Sequence, residues 1–229
     1  MSHLITYKIE SDLDGKLKEA ARISCNFWNN YLIPNSNFVI RLGTFFRPTS
    51  TIAAAWQPYE NDGVRYGHVK FNTRFLKNYT VHEATGTIIH EIAHTLGIGW
   101  DAWSELFDIN TGKFKPEHIK QLPDLGNMVV ELEHGSGTRY SHWDEITHDP
   151  EFMTGFKDSN EHVLPVTIDV MELLGHQVHT RLEQKADLSS ILNGLEGMVF
   201  SRQDIAEAID RDYFIETELM EEIFERPLN

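Results

Sequence analysis

Two histidines and a glutamate stand close together in residues 87–100, TIIHEIAHTLGIGW. His90 and His94 are four residues apart, so on a helix they lie on one face and can direct both imidazoles at one metal ion. Glu91 follows the first histidine and can reach a water molecule on that metal without binding the metal itself. Zinc lowers the pKa of bound water from about 15.7 toward about 7, and a carboxylate can then take its proton. The pattern predicts Zn²⁺ bound by His90 and His94, with Glu91 as the general base in peptide hydrolysis.

The residues around this motif favour the functional interpretation. A pattern with only three fixed positions in five also decorates helices by chance. Here the intervening positions are apolar and would bury such a helix under a sheet; they are Ile88, Ile89, Ile92, Ala93 and Leu96. Gly97 stands three residues after His94, where a helix can end and turn sharply. We therefore predict a buried helix over residues 81–96.

The first part of the chain predicts the elements that would hold this helix. Residues 5–10 alternate apolar and polar side chains like a short strand, and residues 12–31 show helical spacing of apolar residues. Three further strands are indicated by β-branched and aromatic residues between turn residues, at 38–46, 51–56 and 65–71. The order strand, helix, strands, helix predicts a twisted sheet flanked by helices.

The second part of the chain is less regular. From Gly97 to residue 164 it is rich in Gly, Pro, Asp, Asn and His, which predicts a loop-rich half. Residues 166–174 resume helical spacing, and Gly175 is a suitable terminator. Residues 181–229 are acidic and place apolar residues at helical intervals, including Leu188, Ile191, Leu192, Leu195, Ile205, Ala208 and Ile209. We interpret them as a helical appendage packed on the rest of the chain, in preference to an autoinhibitory or partner-docking segment.

Residues 90–99, HEIAHTLGIG, resemble the start of the metzincin zinc signature His-Glu-x-x-His-x-x-Gly-x-x-His, but Trp100 stands where the third histidine is expected. Leishmanolysin-like metzincins carry a long insertion here and place the third histidine later, in a His-Trp pair followed by Glu-x-Met. Residues 141–156, SHWDEITHDPEFMTGF, are similar to that arrangement. So are the spacer segments FDINTGKFKPEHIKQLPD and VVELEHGSGTRYSHW, the helix LPVTIDVMELLGHQV, and the strands TIAAAW and GHVKFN. The resemblance covers residues 5–178.

This resemblance implies the rest of the site. It makes His142 the third zinc ligand, which a catalytic zinc with one open position requires. It makes Met153 the residue of the Met-turn beneath the metal. Asp101 is the next candidate ligand, because zinc also accepts carboxylate oxygen. His134 and His148 are interpreted as solvated loop residues.

The resemblance also implies where a substrate would bind. Ala53, Ala54 and Ala55 would lie in an edge strand, to which an extended peptide adds as a further strand through backbone hydrogen bonds. On the residues alone, a plain buried strand is an equally good interpretation. Some metzincins place an oxyanion-stabilising tyrosine two residues after the Met-turn methionine. Gly155 stands there, so no such role is assigned.

The composition limits the classes of partner. The chain has 229 residues, and 35 acidic against 20 basic side chains give a formal net charge of −15, which opposes binding to nucleic acid or anionic membranes. No stretch is apolar enough to span a membrane and the N-terminus lacks a signal-peptide profile, so we expect a soluble protein, cytoplasmic or released by a non-classical route. The lone Cys25 cannot form an internal disulfide and is interpreted as a buried core thiol.

The sequence thus predicts an α+β fold, a metzincin-like zincin with a twisted mixed sheet, an active-site helix and a loop-rich C-terminal half. The catalytic domain is expected over residues 1–180, divided into 1–98 with the sheet and helix and 99–180 with the third ligand and Met-turn. Residues 181–229 form the acidic helical segment.

Two functions are compatible with this architecture. The first is a zinc-dependent endopeptidase acting on a protein or peptide. The second is a metzincin-like, zinc-stabilised binding or structural module without peptidase activity, as part of a larger assembly. Glu91 favours the first, because structural zinc sites usually have four protein ligands and need no carboxylate beside them.

Overall fold

The computed structural model describes residues 3–196 and the backbone of residues 219–225, and it combines helices with a twisted mixed sheet. The strands are β1 (Ile5–Ile9), β2 (Leu32–Ile33), β3 (Asn37–Phe45), β4 (Thr51–Asn61), β5 (Val64–Asn72), β6 (Phe156–Lys157), β7 (His162–Val163), β8 (Gln177–Val178), β9 (Ala186–Asp187) and β10 (Leu219–Glu225). The predicted α+β class is confirmed.

The helices vary greatly in length. They are α1 (Lys16–Tyr31), α2 (Thr73–Leu76), α3 (Val81–Leu96), α4 (Asp101–Ser104), α5 (Pro116–Gln121), α6 (Glu145–His148), α7 (Pro165–Asp169) and α8 (Leu188–Glu196), with 3₁₀ helices at Pro123–Asn127 and Val170–Glu172. Within the described ranges, no helix has both the length and the apolar character needed to cross a membrane.

Six strands form the main sheet, in the order β1-β3-β5-β4-β10-β6. β1, β3 and β5 are parallel, β4 is antiparallel to both β5 and β10, and β10 is parallel to β6. The four strands predicted for the first half are all present. β4 is longer than predicted, because an irregular register between Trp56 and Tyr59 lets the strand continue through Pro58, which cannot donate a ladder hydrogen bond.

Helix α1 begins four residues later than predicted. Asp14 and Gly15 both have positive φ, 58° and 73°, so the chain turns before the helix starts at Lys16. The Asp12 carboxylate accepts a hydrogen bond from the backbone N–H of Leu17 at 2.9 Å and so satisfies a donor of the first turn. Cys25 is fully buried in this helix, and burial raises the pKa of its thiol, as expected of a core residue.

Helix α3 has the bounds predicted from the sequence. Its start is fixed by a capping box, in which the Thr80 hydroxyl accepts from the Glu83 N–H at 3.2 Å and the Glu83 carboxylate accepts from the Thr80 N–H at 2.8 Å. The helix packs against α1, β4 and β5. The Trp28 indole of α1 donates to the Ile89 carbonyl at 3.0 Å, which ties the two helices together in the core.

The chain between α3 and β8 is built from short elements around an aromatic core. Trp103 and Trp143 pack edge to face with ring centroids 5.2 Å apart, and Phe107 and Phe114 complete the cluster. The helix predicted for 166–174 is present as α7 and the 3₁₀ turn Val170–Glu172, and the chain turns at Gly175 with φ 90°.

The C-terminal segment departs from its prediction. α8 is helical as expected, buries Leu188, Leu192 and Leu195, and packs on α1 and α3. Residues 197–218, which include Ile205, Ala208 and Ile209, lie outside the described residues. The helical prediction is wrong for Leu219–Glu225, which form strand β10. Pairing with β4 decides this conformation, since such tertiary pairing overrides the local spacing of apolar residues.

Candidate metal centre

Three histidines that are distant in sequence meet in the interior. His90 and His94 lie on α3, and His142 lies in the loop before α6. The Nε2 atom of His90 is 3.0 Å from Nε2 of His94 and 3.0 Å from Nε2 of His142, and none of the three residues is more than 1% exposed. The ligand set expected from the sequence is therefore brought together in one buried cluster that could hold a metal ion.

Each imidazole is held through its other ring nitrogen. The Nδ1 atoms are hydrogen-bonded to backbone carbonyls: His90 to Phe152 at 2.8 Å, His94 to Ile98 at 3.1 Å and His142 to Thr138 at 3.0 Å. A carbonyl oxygen only accepts, so each Nδ1 carries the proton and each Nε2 presents a lone pair to the centre. This is the tautomer that a metal-binding histidine needs.

The donor set fits a zinc-sized cation. Burial lowers the pKa of His94 to about 3 and of His142 to about 4; burial and the other two imidazoles lower the pKa of His90 well below its ordinary value. Neutral Nε2 atoms at 3.0 Å repel one another unless a cation lies between them. Tetrahedral zinc with Zn–N bonds of about 2.0–2.1 Å separates its nitrogens by about 3.3 Å, close to this spacing.

The end of α3 orients its second histidine. Gly97 has φ 132°, which L side chains rarely adopt, and it stops the helix so that the Ile98 carbonyl can accept from His94. The indole of Trp100, which stands where the zinc signature has its third histidine, donates to the His94 carbonyl at 2.8 Å. His176 Nε2 donates to the Leu96 carbonyl at 2.7 Å. These two contacts satisfy the His94 and Leu96 carbonyls, which belong to the last turn of the helix.

His142 is positioned by its neighbour Trp143. The Trp143 N–H donates to the Met153 carbonyl at 3.0 Å, and its indole donates to the Thr167 hydroxyl at 2.9 Å. The His142 carbonyl accepts from the Glu131 N–H at 2.9 Å. The backbone on both sides of the His142 side chain is therefore fixed by the aromatic core and by hydrogen bonds.

Met153 lies in a tight turn that connects the first and third histidines. It is 1% exposed, and the turn is closed by a hydrogen bond from the Thr154 N–H to the Glu151 carbonyl at 3.0 Å. The preceding residue, Phe152, supplies the carbonyl that holds His90, and the Met153 carbonyl holds the backbone of Trp143. The turn around Met153 is therefore hydrogen-bonded both to His90 and to the residue that follows His142.

Sequence reasoning did not single out Glu151, which organises this turn. Its buried carboxyl group accepts from the Met153 N–H at 2.7 Å, the Leu164 N–H at 3.2 Å and the Thr167 hydroxyl at 2.8 Å. Burial nevertheless raises the pKa of Glu151 to about 8. The only sequence signal was its position in the Glu-x-Met pattern.

Glu91 is fully buried on α3, directly after His90. A glutamate is rarely buried completely unless it has a chemical partner. Chance decoration of an exposed helix face is therefore excluded for this motif, because His90, Glu91 and His94 are all interior.

The other candidate ligands lie elsewhere. Asp101 is exposed at the start of α4. His134 pairs with Glu131 at 2.9 Å with its side chain 38% exposed. His148 is half-buried, and its Nε2 accepts from the Val129 N–H at 3.1 Å, so it is a structural residue and not the solvated loop residue that was predicted.

Ala53, Ala54 and Ala55 are buried in β4, and the expectation that they lie in an edge strand is wrong for this structure. β5 pairs with one side of β4 and β10 with the other. An open edge would present unpaired backbone N–H and C=O groups, and here the chain covers that edge with its own C-terminal strand.

No protein-family model matches this sequence, and no curated protein is significantly similar to it. The function of the chain is therefore inferred from its own residues and their geometry.

Proposed function

We propose that this chain is a zinc-dependent endopeptidase of metzincin-like fold, in which His90, His94 and His142 bind Zn²⁺ and Glu91 is the general base. One observation carries the proposal: three buried imidazoles, each with Nδ1 bonded to a backbone carbonyl, bring their Nε2 atoms together, and the residue after His90 on α3 is a fully buried glutamate. Three ligands leave one coordination position for water, as catalytic zinc sites do.

In peptide hydrolysis, zinc and the protein would contribute different parts of the chemistry. When bound, zinc lowers the pKa of a coordinated water toward about 7 and polarises the carbonyl of the peptide bond. Glu91 accepts a proton from the attacking water on a carboxylate oxygen and delivers it to the leaving amine. The three carbonyls of Ile98, Thr138 and Phe152 keep the imidazoles in the neutral, metal-binding tautomer throughout. The reaction passes through no covalent bond between substrate and enzyme.

The remaining residues of the site support it without touching substrate. Met153 acts as the Met-turn methionine, since its turn joins the carbonyl that holds His90 to the backbone beside His142. Gly155 has no side chain to offer to an oxyanion, so no oxyanion-stabilising role is assigned at this position. The substrate is a protein or peptide; in this structure the edge of β4 that could pair with it along Ala53, Ala54 and Ala55 is occupied by β10.

The covered edge of β4 favours a second candidate, a zinc-stabilised binding or structural module without peptidase activity. The buried Glu91 distinguishes the two. A purely structural site gains nothing from a carboxylate held out of water beside three histidine ligands, because its burial costs free energy.

Replacing Glu91 by Ala tests the proposal. We expect cleavage of an unfolded protein to fall by at least about hundredfold, because the water loses its proton acceptor. Elemental analysis should still find about one zinc per chain, since Glu91 is not a ligand. Glu117→Ala, in which an exposed glutamate of α5 is removed, is the matched control.

Two results would contradict this assignment. Unchanged turnover in Glu91→Ala would exclude Glu91 as the base. The structural module would be favoured if a chain with the native metal-site residues, from which β10 has been removed, bound stoichiometric zinc but showed no chelator-sensitive cleavage.

A further inference from the structure

Strand β10 lies between the two parts of the chain that form the metal centre. On one side it is antiparallel to β4, with Leu219 opposite Trp56, Met220 opposite Ala55, Glu222 opposite Ala54, Ile223 opposite Ala53 and Phe224 opposite Thr51. On the other side it is parallel to β6, with Phe224 opposite Phe156 and Glu225 opposite Lys157. β10 thus joins β6 to the rest of the main sheet.

Both neighbours of β10 are close to the histidine cluster. β4 packs directly on α3, the helix that carries His90 and His94. β6 begins one residue after Gly155, and a Cβ atom at Gly155 would lie 3.9 Å from Cγ of His142. Each strand that flanks β10 therefore lies beside a segment that supplies a candidate ligand, since β4 packs on α3 and β6 directly follows Gly155, which is close to His142.

The pairing of β10 is of a kind that another peptide could replace. Its register with β4 is interrupted between Met220 and Glu222 and again between Ile223 and Phe224, and only two residues pair with β6. Backbone pairing is largely independent of sequence, so the edge that accepts β10 accepts an extended substrate in the same way. A substrate and β10 cannot occupy this edge together.

We propose that residues 219–225 are an intramolecular occupant of the peptide-binding cleft, which keeps substrates away from the metal centre until the strand is displaced. This inference rests on the proposed peptidase function, which is the reason for regarding the edge of β4 as a peptide-binding cleft. It makes the C-terminal segment the regulator of the site, and it explains why the strand next to α3 is not an open edge in this structure.

The test releases β10 from the folded, zinc-loaded full chain. A recognition sequence for a site-specific protease is inserted within residues 197–218, and the same insertion in scrambled order is the control. After cutting and removal of the fragment, we expect kcat/KM for a fluorogenic peptide to rise at least about tenfold, as for a site freed from an occupant present about nine-tenths of the time. A synthetic peptide with the sequence of residues 219–225, LMEEIFE, should then raise KM and leave kcat unchanged.

A binding measurement separates this inference from the peptidase proposal. In the Glu91→Ala background, the affinity for a fluorescently labelled peptide is measured by anisotropy before and after release of β10. Tighter binding after release supports the inference even if the wild type cleaves nothing, in which case the peptidase proposal fails alone. Equal affinity before and after release overturns the inference, and so does cleavage at the same rate in cut and uncut chains.

A second variant covers the case in which the cut protein precipitates. Ile223→Pro in the uncut chain removes a backbone N–H at the residue opposite Ala53 and disfavours strand pairing. We expect it to increase peptide binding in the Glu91→Ala background at unchanged zinc content. Unchanged peptide affinity in a zinc-loaded Ile223→Pro chain overturns the inference.

Discussion

At the scale of single residues, each of the three clustered histidines is oriented by a backbone carbonyl, and Nδ1 of His142 also lies 3.2 Å from the Ser141 hydroxyl. The carbonyls belong to Ile98, Thr138 and Phe152, and each sits in a turn or helix end whose shape depends on its neighbours. Residues that never approach the metal can therefore change its binding through the backbone. Outer contacts of this kind typically affect metal affinity 10–100-fold, by order of magnitude.

Gly155 is such a residue. A Cβ atom built on it would lie 2.3 Å from Cγ2 and 2.9 Å from Cβ of Thr138, whose carbonyl holds His142. We expect Gly155→Ala to push Thr138 away and to weaken zinc binding about 10–100-fold, measured by competition with a chromogenic chelator.

Two variants control this prediction. Gly135→Ala lies in the same loop and its Cβ would meet nothing within 4 Å, so its zinc affinity should match the wild type. Adding Thr138→Ser to Gly155→Ala removes the closer of the two clashing atoms and should restore part of the affinity. Wild-type affinity in Gly155→Ala would show that Thr138 does not control the third ligand.

At the scale of elements, the turn around Met153 depends on one buried carboxyl group. Glu151 accepts three hydrogen bonds there, yet burial raises its pKa to about 8. Because the folded-state pKa lies above the unfolded value, the contribution of this group to the free energy of unfolding is largest at acid pH, where the carboxyl group is protonated. This contribution declines as the pH rises from the ordinary glutamate range through about 8.

We therefore expect the free energy of unfolding of the chelator-treated protein to decrease with rising pH in this window. The slope due to Glu151 should be at most about 1.4 kcal/mol per pH unit. Glu151→Gln cannot ionise, so urea unfolding at a series of pH values should show a shallower dependence for this variant. Glu117→Gln, at an exposed position in α5, is the control. Equal slopes in wild type and Glu151→Gln would show that Glu151 does not titrate in this range.

At the scale of the whole molecule, the histidine cluster that could hold a metal ion forms only because two halves of the chain meet. His90 and His94 come from the helix beneath the sheet, and His142 comes from the loop-rich half, whose aromatic core holds the adjacent Trp143. Asp101, the alternative third ligand considered from the sequence, is exposed instead.

This arrangement predicts opposite results for two substitutions. His142→Ala should weaken zinc binding by more than about hundredfold and abolish cleavage, because a ligand is lost and not only its support. Asp101→Ala should retain wild-type zinc content by elemental analysis. Zinc retained at wild-type affinity in His142→Ala would assign the third ligand to another residue and remove the main support for the leishmanolysin-like interpretation.

Features that depend on neighbouring residues were predicted from the sequence more accurately than features that depend on contacts between distant residues. The bounds of α3 were predicted correctly, because Thr80, Glu83 and Gly97 specify its ends within one turn of the helix. α1 started late because Asp14 and Gly15 adopt positive φ, which the apolar spacing does not reveal. The proximity of His142 to His90 came from a resemblance between motifs, since no local pattern fixes a contact across the intervening loop.

The sequence by itself determined which residues have metal-binding and proton-accepting side chains, and that His90, Glu91 and His94 share one helix, because side-chain chemistry and helical periodicity are local properties. Only the tertiary structure decided which carbonyls orient the histidines, that Glu151 closes the Met153 turn, and that β10 covers β4. These features depend on burial and on pairing between distant segments. These interactions form only when the chain is folded, so the residues adjacent in sequence do not reveal them.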